Sequence, residues 1–208
     1  YITNMKNNFI HLHLHSEYSI SDSLIRIKDL INKASEERFP AIAVTDLNNI
    51  FSLVKFYKSA IKNGVQPIIG IEINLKDDED SALQSKVILL CKNMAGFNNL
   101  SNLITDSYVG LKEGSNFFIS KHQLEKRSDG LIALSGGIYG DLANAIRSEK
   151  QDLIEDSINY WKKNFPNSFY IEITRTGKDF EDEYLAQALE LSQKYQIPLV
   201  ASNDVRFI

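Results

Sequence analysis

The run Phe9-Ile10-His11-Leu12-His13-Leu14-His15 carries three of the chain's four histidines at every second position. Period-two spacing is strand geometry, so a strand here projects His11, His13 and His15 from one face, interleaved with Ile10, Leu12 and Leu14. Neutral imidazole is a common metal ligand, and rings side by side on one face can share an ion. The same residues also suit a polar strand end with satisfied hydrogen bonds, so the run alone does not decide.

The elements that would position them are legible as alternating patterns. Short apolar, β-rich runs occupy 9–14, 41–45, 67–73, 86–91, 130–135, 168–174 and 198–202. Leu24, Ile27, Leu30, Ile31 and Ala34 are spaced for one helical face, with Asp22 or Ser23 available as N-cap. Asn48 or Asn49 can cap a second helix whose stripe is Leu53, Val54, Tyr57, Ala60 and Ile61, closed by Gly64. Leu100, Leu103, Ile104 and Tyr108 predict a third helix. Ile154, Ile158 and Trp161 predict one before 168–174, and Tyr184, Leu185, Ala188, Leu189 and Leu191 one before 198–202. Strands alternating with helices predict an α/β domain on a parallel sheet, open and doubly wound or closed as a barrel. Lys76–Asp80 reads as a solvated loop, and 110–129 as an irregular insertion with a short helix at Lys121–Lys126. With no Pro- or Gly-rich linker and no internal repeat, a single domain is expected.

In closed parallel barrels reactive residues sit at the C-terminal strand ends. Those ends supply His13 and His15 with Asp22 beyond, Thr45-Asp46, Glu72, Ser135-Gly136-Gly137 and Asn203-Asp204. Imidazoles and carboxylates converging on one mouth are how a hydrolytic metal centre is built. Taken singly, Asp46 and Asp204 would serve equally as helix caps. Other candidates carry less: Gly136–Gly140 reads as a turn, and Arg175-Thr176-Gly177-Lys178 lacks the upstream glycine and following Ser or Thr of a P-loop. Ser135 has no nucleophile-elbow sequence around it, Cys91 reads as core and His122 as surface.

Composition bounds the class. The 208 residues suffice for a substantial core, and 43% hydrophobic with 24% charged residues is ordinary for a globular protein. A formal charge of −4 argues against a sequence-independent nucleic-acid clamp. One cysteine excludes an internal disulfide framework and fits a reducing compartment. No apolar run reaches the length of a membrane span, and no secretory segment opens the chain, so a cytoplasmic location is expected and no membrane partner.

The stretches HLHLHSEYSISDSL, AIAVTDLNNIFSLVKFYKSAIKNGVQPIIGIEI, GFNNLSNLIT, GLIALSGGIYGDLA and ASNDVRFI together resemble a known family. It is the PHP (polymerase and histidinol phosphatase) domain found at the N-terminus of bacterial C-family replicative polymerase alpha subunits, and the likeness runs from Phe9 to the last residue. Histidinol phosphatases and free-standing PHP phosphoesterases share neither the LVKFY stretch nor the SNDVRF ending. Residues 1–8 are then a tail, with Tyr1–Asn4 ahead of a native start at Met5-Lys6. Residues 9–208 are the domain, short of the family's full C-terminal extent. The resemblance implies a distorted, TIM-like (β/α)7 barrel. Active members hold up to three metal ions with nine ligands and hydrolyse phosphoesters.

By that resemblance His13, His15, Asp22, Glu72 and Asp204 match family metal ligands. Four ligand positions depart: Leu47, Lys86, Gly137 and Arg206 stand where active members carry ligating side chains. Leucine cannot ligate, and an ammonium or guanidinium puts fixed positive charge where divalent ions would sit. Lys86 and Arg206 are instead expected to pair with the remaining carboxylates. No catalytic residue and no cofactor is therefore expected in this chain, beyond one residual divalent ion (Zn, Mn or Mg) on the remnant ligands. Mg would belong to a polymerase domain elsewhere, and the parent activity would be DNA-directed nucleotidyl transfer. The implied role is a scaffold in DNA replication that contacts the rest of the polymerase chain and docks the proofreading exonuclease (epsilon) subunit. DNA would be met through the full-length protein rather than through this domain. The alternative is a residual metal-dependent phosphoesterase, acting on pyrophosphate or on a nucleic-acid 3′ end.

Overall fold

The computed structural model describes residues 9–20, 22–78, 81, 83–110 and 117–207. The expected tail at 1–8, the end of the acidic loop at 79–80 and the start of the insertion at 111–116 lie outside them. The strands are β1 (Ala41–Val44), β2 (Gln66–Lys76), β3 (Ser85–Cys91), β4 (Ile119–Ser120), β5 (Leu131–Leu134), β6 (Phe169–Ile173) and β7 (Leu199–Ala201). The helices are α1 (Ile27–Glu36), α2 (Leu53–Lys62), α3 (Met94–Val109), α4 (Lys121–Glu125), α5 (Asp141–Arg147), α6 (Gln151–Asn164) and α7 (Glu181–Tyr195). None is long and apolar enough to cross a membrane among the described residues.

One sheet runs in the order β1-β2-β3-β5-β6-β7, with β4 on the far end of β2. It is mixed rather than all-parallel. Only residues 77–84 separate β2 from β3, too few for a crossover helix, so the two pair antiparallel as a hairpin, and β3 pairs antiparallel with β5. Alternation sorts the side chains. Ile71, Ile73, Leu75, Val87, Leu89 and Ala133 join the outer core under the helices, with Trp161 stacked on Phe169 at 5.0 Å between ring centres. Ala43, Ile88, Leu90 and Leu134, with Leu12, Ile68, Ile132, Tyr170 and Val200, fill the inside of the curl. Gly70 faces that interior, where a Cβ would meet Leu90 at 2.6 Å and the Leu89 carbonyl at 2.8 Å; only glycine lets the two strands curl this tightly.

The expected strand at 9–14 does not form a regular ladder. The chain bends at His13. Leu14 bonds β1's successor Thr45 on one side, while His13 and His15 exchange backbone bonds with Val205 on the other. This segment thus ties β1 to the chain leaving β7 and closes the curl.

The helices follow prediction with two corrections. First, α1 begins at Ile27 after Arg26, without a side-chain cap, and Leu24 lies outside it, 83% exposed. Asp22 and Ser23 do not cap it because both are drawn toward the chain end: Ser23 Oγ donates to the His15 and Arg206 carbonyls, and Asp22 pairs with Arg206. Second, α2 buries Phe56 and Ala60, while Val54, Tyr57 and Ile61 of the predicted stripe are exposed. The short helix predicted in the insertion is α4, opened by a Ser120/Gln123 capping box.

Candidate metal and ion-pair site

The site forms at the C-terminal ends of the parallel strands. Glu72 (β2) and Glu172 (β6) are inward residues of their strands, and Asp46 and Asp204 follow β1 and β7. Lys86 joins them from the opposite direction. Because β3 is antiparallel, its second residue lies beside Asn74, at the same end of the sheet as Glu72. Hairpin topology therefore delivers a strand-beginning residue to a mouth otherwise built from strand ends.

At the centre, His13 Nε2 and His15 Nε2 stand 3.3 Å apart. Glu72 lies 3.6 Å from the first and 3.4 Å from the second, and Asp204 Oδ1 lies 3.6 Å from both. Each ring is held from behind. His13 Nδ1–H donates to Glu172 Oε1 at 2.9 Å, and Glu172 also accepts from Ser202 Oγ. His15 Nδ1–H donates to Ser19 Oγ at 3.1 Å, since that hydroxyl gives its own proton to Asp46. Carboxylate or hydroxyl partners behind the rings leave both Nε2 atoms aimed at the centre, the orientation seen for ligating imidazoles.

Three fixed cations surround the carboxylates. Lys86 Nζ reaches Glu72 at 3.0 Å, Lys178 Nζ reaches Asp204 Oδ2 at 3.1 Å, and Arg206 contacts Asp204 Oδ1 at 3.0 Å and also pairs with Asp22. Tyr139 lies between the two lysines, 5.6 Å from Lys86 and 5.1 Å from Lys178. Burial opposes ionisation of Glu72, but His13 and then Lys86 outweigh it and hold its pKa down at about 2. Burial likewise opposes the charge on Asp204, and His13, Arg206 and Lys178 hold it well below the usual carboxylate range. Burial opposes the His13 cation too, yet Glu172 and Glu72 raise its pKa to about 10. His15 goes the other way: burial, with His13 and Arg206 nearby, lowers it to about 4. A charged His13 facing a neutral His15 also satisfies the Nε2 contact, one donor facing one acceptor.

The expected residues mostly converge. His13, His15, Glu72 and Asp204 meet at the centre, and Asp22 sits at the rim, 3.7 Å from His15 Nδ1. His11 does not. The bend at His13 breaks the period-two alternation and turns the His11 ring edge-on to Phe9 and Phe39. Neither Asp46 nor Asp204 caps a helix. Asp46 accepts from Ser16 N at 2.7 Å and from the Ser16 and Ser19 hydroxyls, clamping the loop that follows His15. Leu47 lies beside Glu72 through a backbone bridge and offers no donor atom. Gly137, at φ +54, opens a single 3-10 turn. Ser135 is structural, bonded to Tyr184 and accepting from Glu172 N.

Two contributors escaped the reading of the sequence, Glu172 and Lys178. For Glu172 a signal exists: Ile171-Glu172-Ile173 repeats Ile71-Glu72-Ile73, a carboxylate alone in an apolar strand. Lys178 has none. Its loop is shaped by Glu181, whose carboxylate accepts from the Thr174 and Thr176 hydroxyls and from the backbone N–H of Thr176, Gly177 and Lys178.

The donor set fits one metal ion. One ligand atom each from His13, His15 and Glu72 lies within 4.8 Å of the others. It does not fit a cluster, because Leu47 and Gly137 supply no ligand and Lys86 and Arg206 already neutralise the carboxylates a second ion would need.

A family model described as the PHP domain matches residues 11–176. The chain is 40% identical over 201 residues to the DNA polymerase III subunit alpha of Buchnera aphidicola subsp. Acyrthosiphon pisum, covering 96% of this chain and 17% of that protein. Identity is 38% over 200 residues to the Vibrio cholerae protein of that name and 35% over 200 to that of Escherichia coli K12, with the same coverage. The chain thus spans about a sixth of the length of these curated relatives. Its fold is similar to an amidohydrolase from Chromobacterium violaceum (TM-score 0.65, 13% identity, 95% of this chain and 87% of that one). It is also similar to a putative metal-dependent phosphoesterase from Bifidobacterium adolescentis (TM-score 0.57, 11% identity, 96% and 88%). With the family model matching residues 11–176, most of its length, the chain belongs to the PHP domain family.

Proposed function

We propose that this chain is the PHP module of a bacterial replicative polymerase alpha subunit, residues 9–208 forming the domain. In it, side-chain cations have replaced the metal centre, and its work is to hold the polymerase together and to dock the proofreading exonuclease subunit. One observation carries the non-hydrolytic part: Lys86, Lys178 and Arg206 each pair with a carboxylate of the mouth. A buried carboxylate already neutralised at 3.0 Å gains little from a divalent ion that must first displace the ammonium. The polymerase assignment is supported by identity of 35–40% to alpha subunits over nearly the whole chain.

The test measures bound metal after purification without chelator, phosphoester hydrolysis with Mn²⁺ or Zn²⁺, and binding of the exonuclease subunit. No stoichiometric metal, no hydrolysis and saturable subunit binding are expected. Tightly held ions with activity that disappears in His13→Ala would overturn the reading. That outcome would support the second one, a residual phosphoesterase, which the His13, His15 and Glu72 grouping favours. There the ion would polarise the phosphoryl oxygen and lower the pKa of a bound water.

A further inference from the structure

A groove of about 530 Å³ lies between α2 and α3, at the end of the sheet remote from the ion-pair site. Its existence follows from topology. In a βαβ unit the crossover helix covers the outer face of the strands it joins. The β2–β3 connection is a hairpin, so α2 packs on β2 and α3 on β3 with nothing between them. The floor is therefore bare sheet: outward-facing Ile69 and Cys91, half-buried, in the same rows as Ile71, Ile73, Val87 and Leu89, which are fully covered.

The walls are apolar and face water. Val54 is 61% exposed, Tyr57 47% and Met94 71%. Val54, Tyr57 and Ile61 form an i, i+3, i+7 stripe, the periodicity that ordinarily buries a helix face, and here it is the face left over after Phe56 and Ala60 pack inward. The rim is charged with one sign. Lys58 and Lys92 line the groove, no carboxylate does, and the chain as a whole carries −4. The β2–β3 ladder begins at Gly70 and Leu90, and beyond it Ile69 pairs with β1 and Cys91 with β5, which leaves too short an unpaired stretch for an added strand.

We propose that this groove docks an acidic amphipathic helix of a partner protein, its apolar face on Ile69 and Cys91 and its carboxylates on Lys58 and Lys92. The site rests on the scaffold reading above only in taking the occupant to be a separate chain.

Cys91 is the single cysteine and lies on the groove floor, so its reactivity reports occupancy. Burial pushes its thiol up to about 11, which calls for labelling with a disulfide reagent at roughly pH 9. The probe is a synthetic helix of about five turns, with Leu and Phe at i, i+3, i+4 and i+7 and Glu elsewhere. Saturating peptide is expected to slow labelling of Cys91 at least about fivefold, and its Lys-for-Glu counterpart to do so far less. Lys58→Glu with Lys92→Glu should reverse that preference, and Met94→Glu, at an exposed position, should abolish protection without altering the fold. Equal protection by both peptides, or none by the acidic one, would overturn the site. Protection that grows with protein concentration in the absence of peptide would also overturn it, by making a second copy the occupant. If Cys91 is already shielded in the full polymerase polypeptide, read by mass spectrometry, a segment of that same polypeptide fills the groove and the partner is excluded. Peptide protection with no binding of the exonuclease subunit would overturn the scaffold reading and leave the groove; subunit binding without peptide protection would do the reverse.

Discussion

The Nε2 atoms of His13 and His15 face each other at 3.3 Å, each ring having committed its Nδ1 proton to a partner behind it, Glu172 for one and Ser19 for the other. Two lone pairs cannot face each other at that distance without a cation between or upon them. A metal ion would satisfy both. In this chain a proton on His13 does the same, and His13, Lys86, Lys178 and Arg206 pair with Asp22, Glu72, Glu172 and Asp204, while Asp46 is held by the Ser16 and Ser19 hydroxyls. Side-chain cations thus sit against the carboxylates around the two imidazoles.

That balance sets a pH dependence. The folded pKa of His13, about 10, lies above its ordinary 6.5. Its contribution is therefore complete below 6.5 and lost as pH rises through about 10. A shift of that size corresponds to about 5 kcal/mol. Urea unfolding at successive pH values should show stability falling on the alkaline side, and His13→Gln should flatten that limb. Ring ¹⁵N shifts typical of a neutral His13 at pH 7 would contradict it.

Metal removal should change nothing. On the proposed reading, in which side-chain cations hold the charge of the site, exhaustive dialysis against chelator is expected to leave the thermal midpoint within about 1 °C. Lys86→Ala frees Glu72 and should create a midpoint that rises with added Zn²⁺ or Mn²⁺, where the unmodified chain shows no such rise. Calorimetry on both proteins separates the cases.

Arg206 joins Asp204, just after β7, to Asp22, in the loop before α1. Arg206→Ala leaves Asp22 without its cation and Asp204 with Lys178 and His13 alone, and is expected to destabilise by about 1–3 kcal/mol, less than a fully buried pair because the guanidinium is partly exposed. Removing Asp22 as well should recover part of that loss. A double-mutant cycle with a coupling energy near zero would show the contact to be incidental.

Glu181 templates the loop that carries Lys178 to Asp204. Burial raises its pKa, but Thr176, Thr174 and the loop N–H groups outweigh this and lower it to about 2. A depressed carboxylate contributes stability above its ordinary 4.5, and that stability is lost as pH falls toward 2. Glu181→Gln should cost about 1–3 kcal/mol at pH 7 and remove that acid slope, with amide exchange quickening at Thr176–Lys178. An unchanged slope would mean that the loop holds itself.

The sequence by itself determined most of the elements and the identity of the residues at the centre of the site. Among the described residues, hydrophobic period set six of the seven regular strands and five of the seven helices within a few residues, because each buries one face. His13, His15, Glu72 and Asp204 were visible because charged or imidazole side chains at the ends of apolar runs are rare and chemically specific. Tertiary structure alone decided the rest. The β2–β3 hairpin made the sheet mixed, and reversing β3 is what carries Lys86 to Glu72. A two-residue strand such as β4, and a seven-residue helix such as α5, are too short to show a period. The bend at His13 sent His11 away from its neighbours, and closure against Val205 imposes that bend. Lys178 lies 26 residues from Asp204, and the pairing depends on a loop folded around Glu181. Which face of α2 was buried depended on where the missing crossover helix left the sheet uncovered. Local pattern records what a residue must bury, whereas contact between distant charges is fixed by how the strands are ordered and directed.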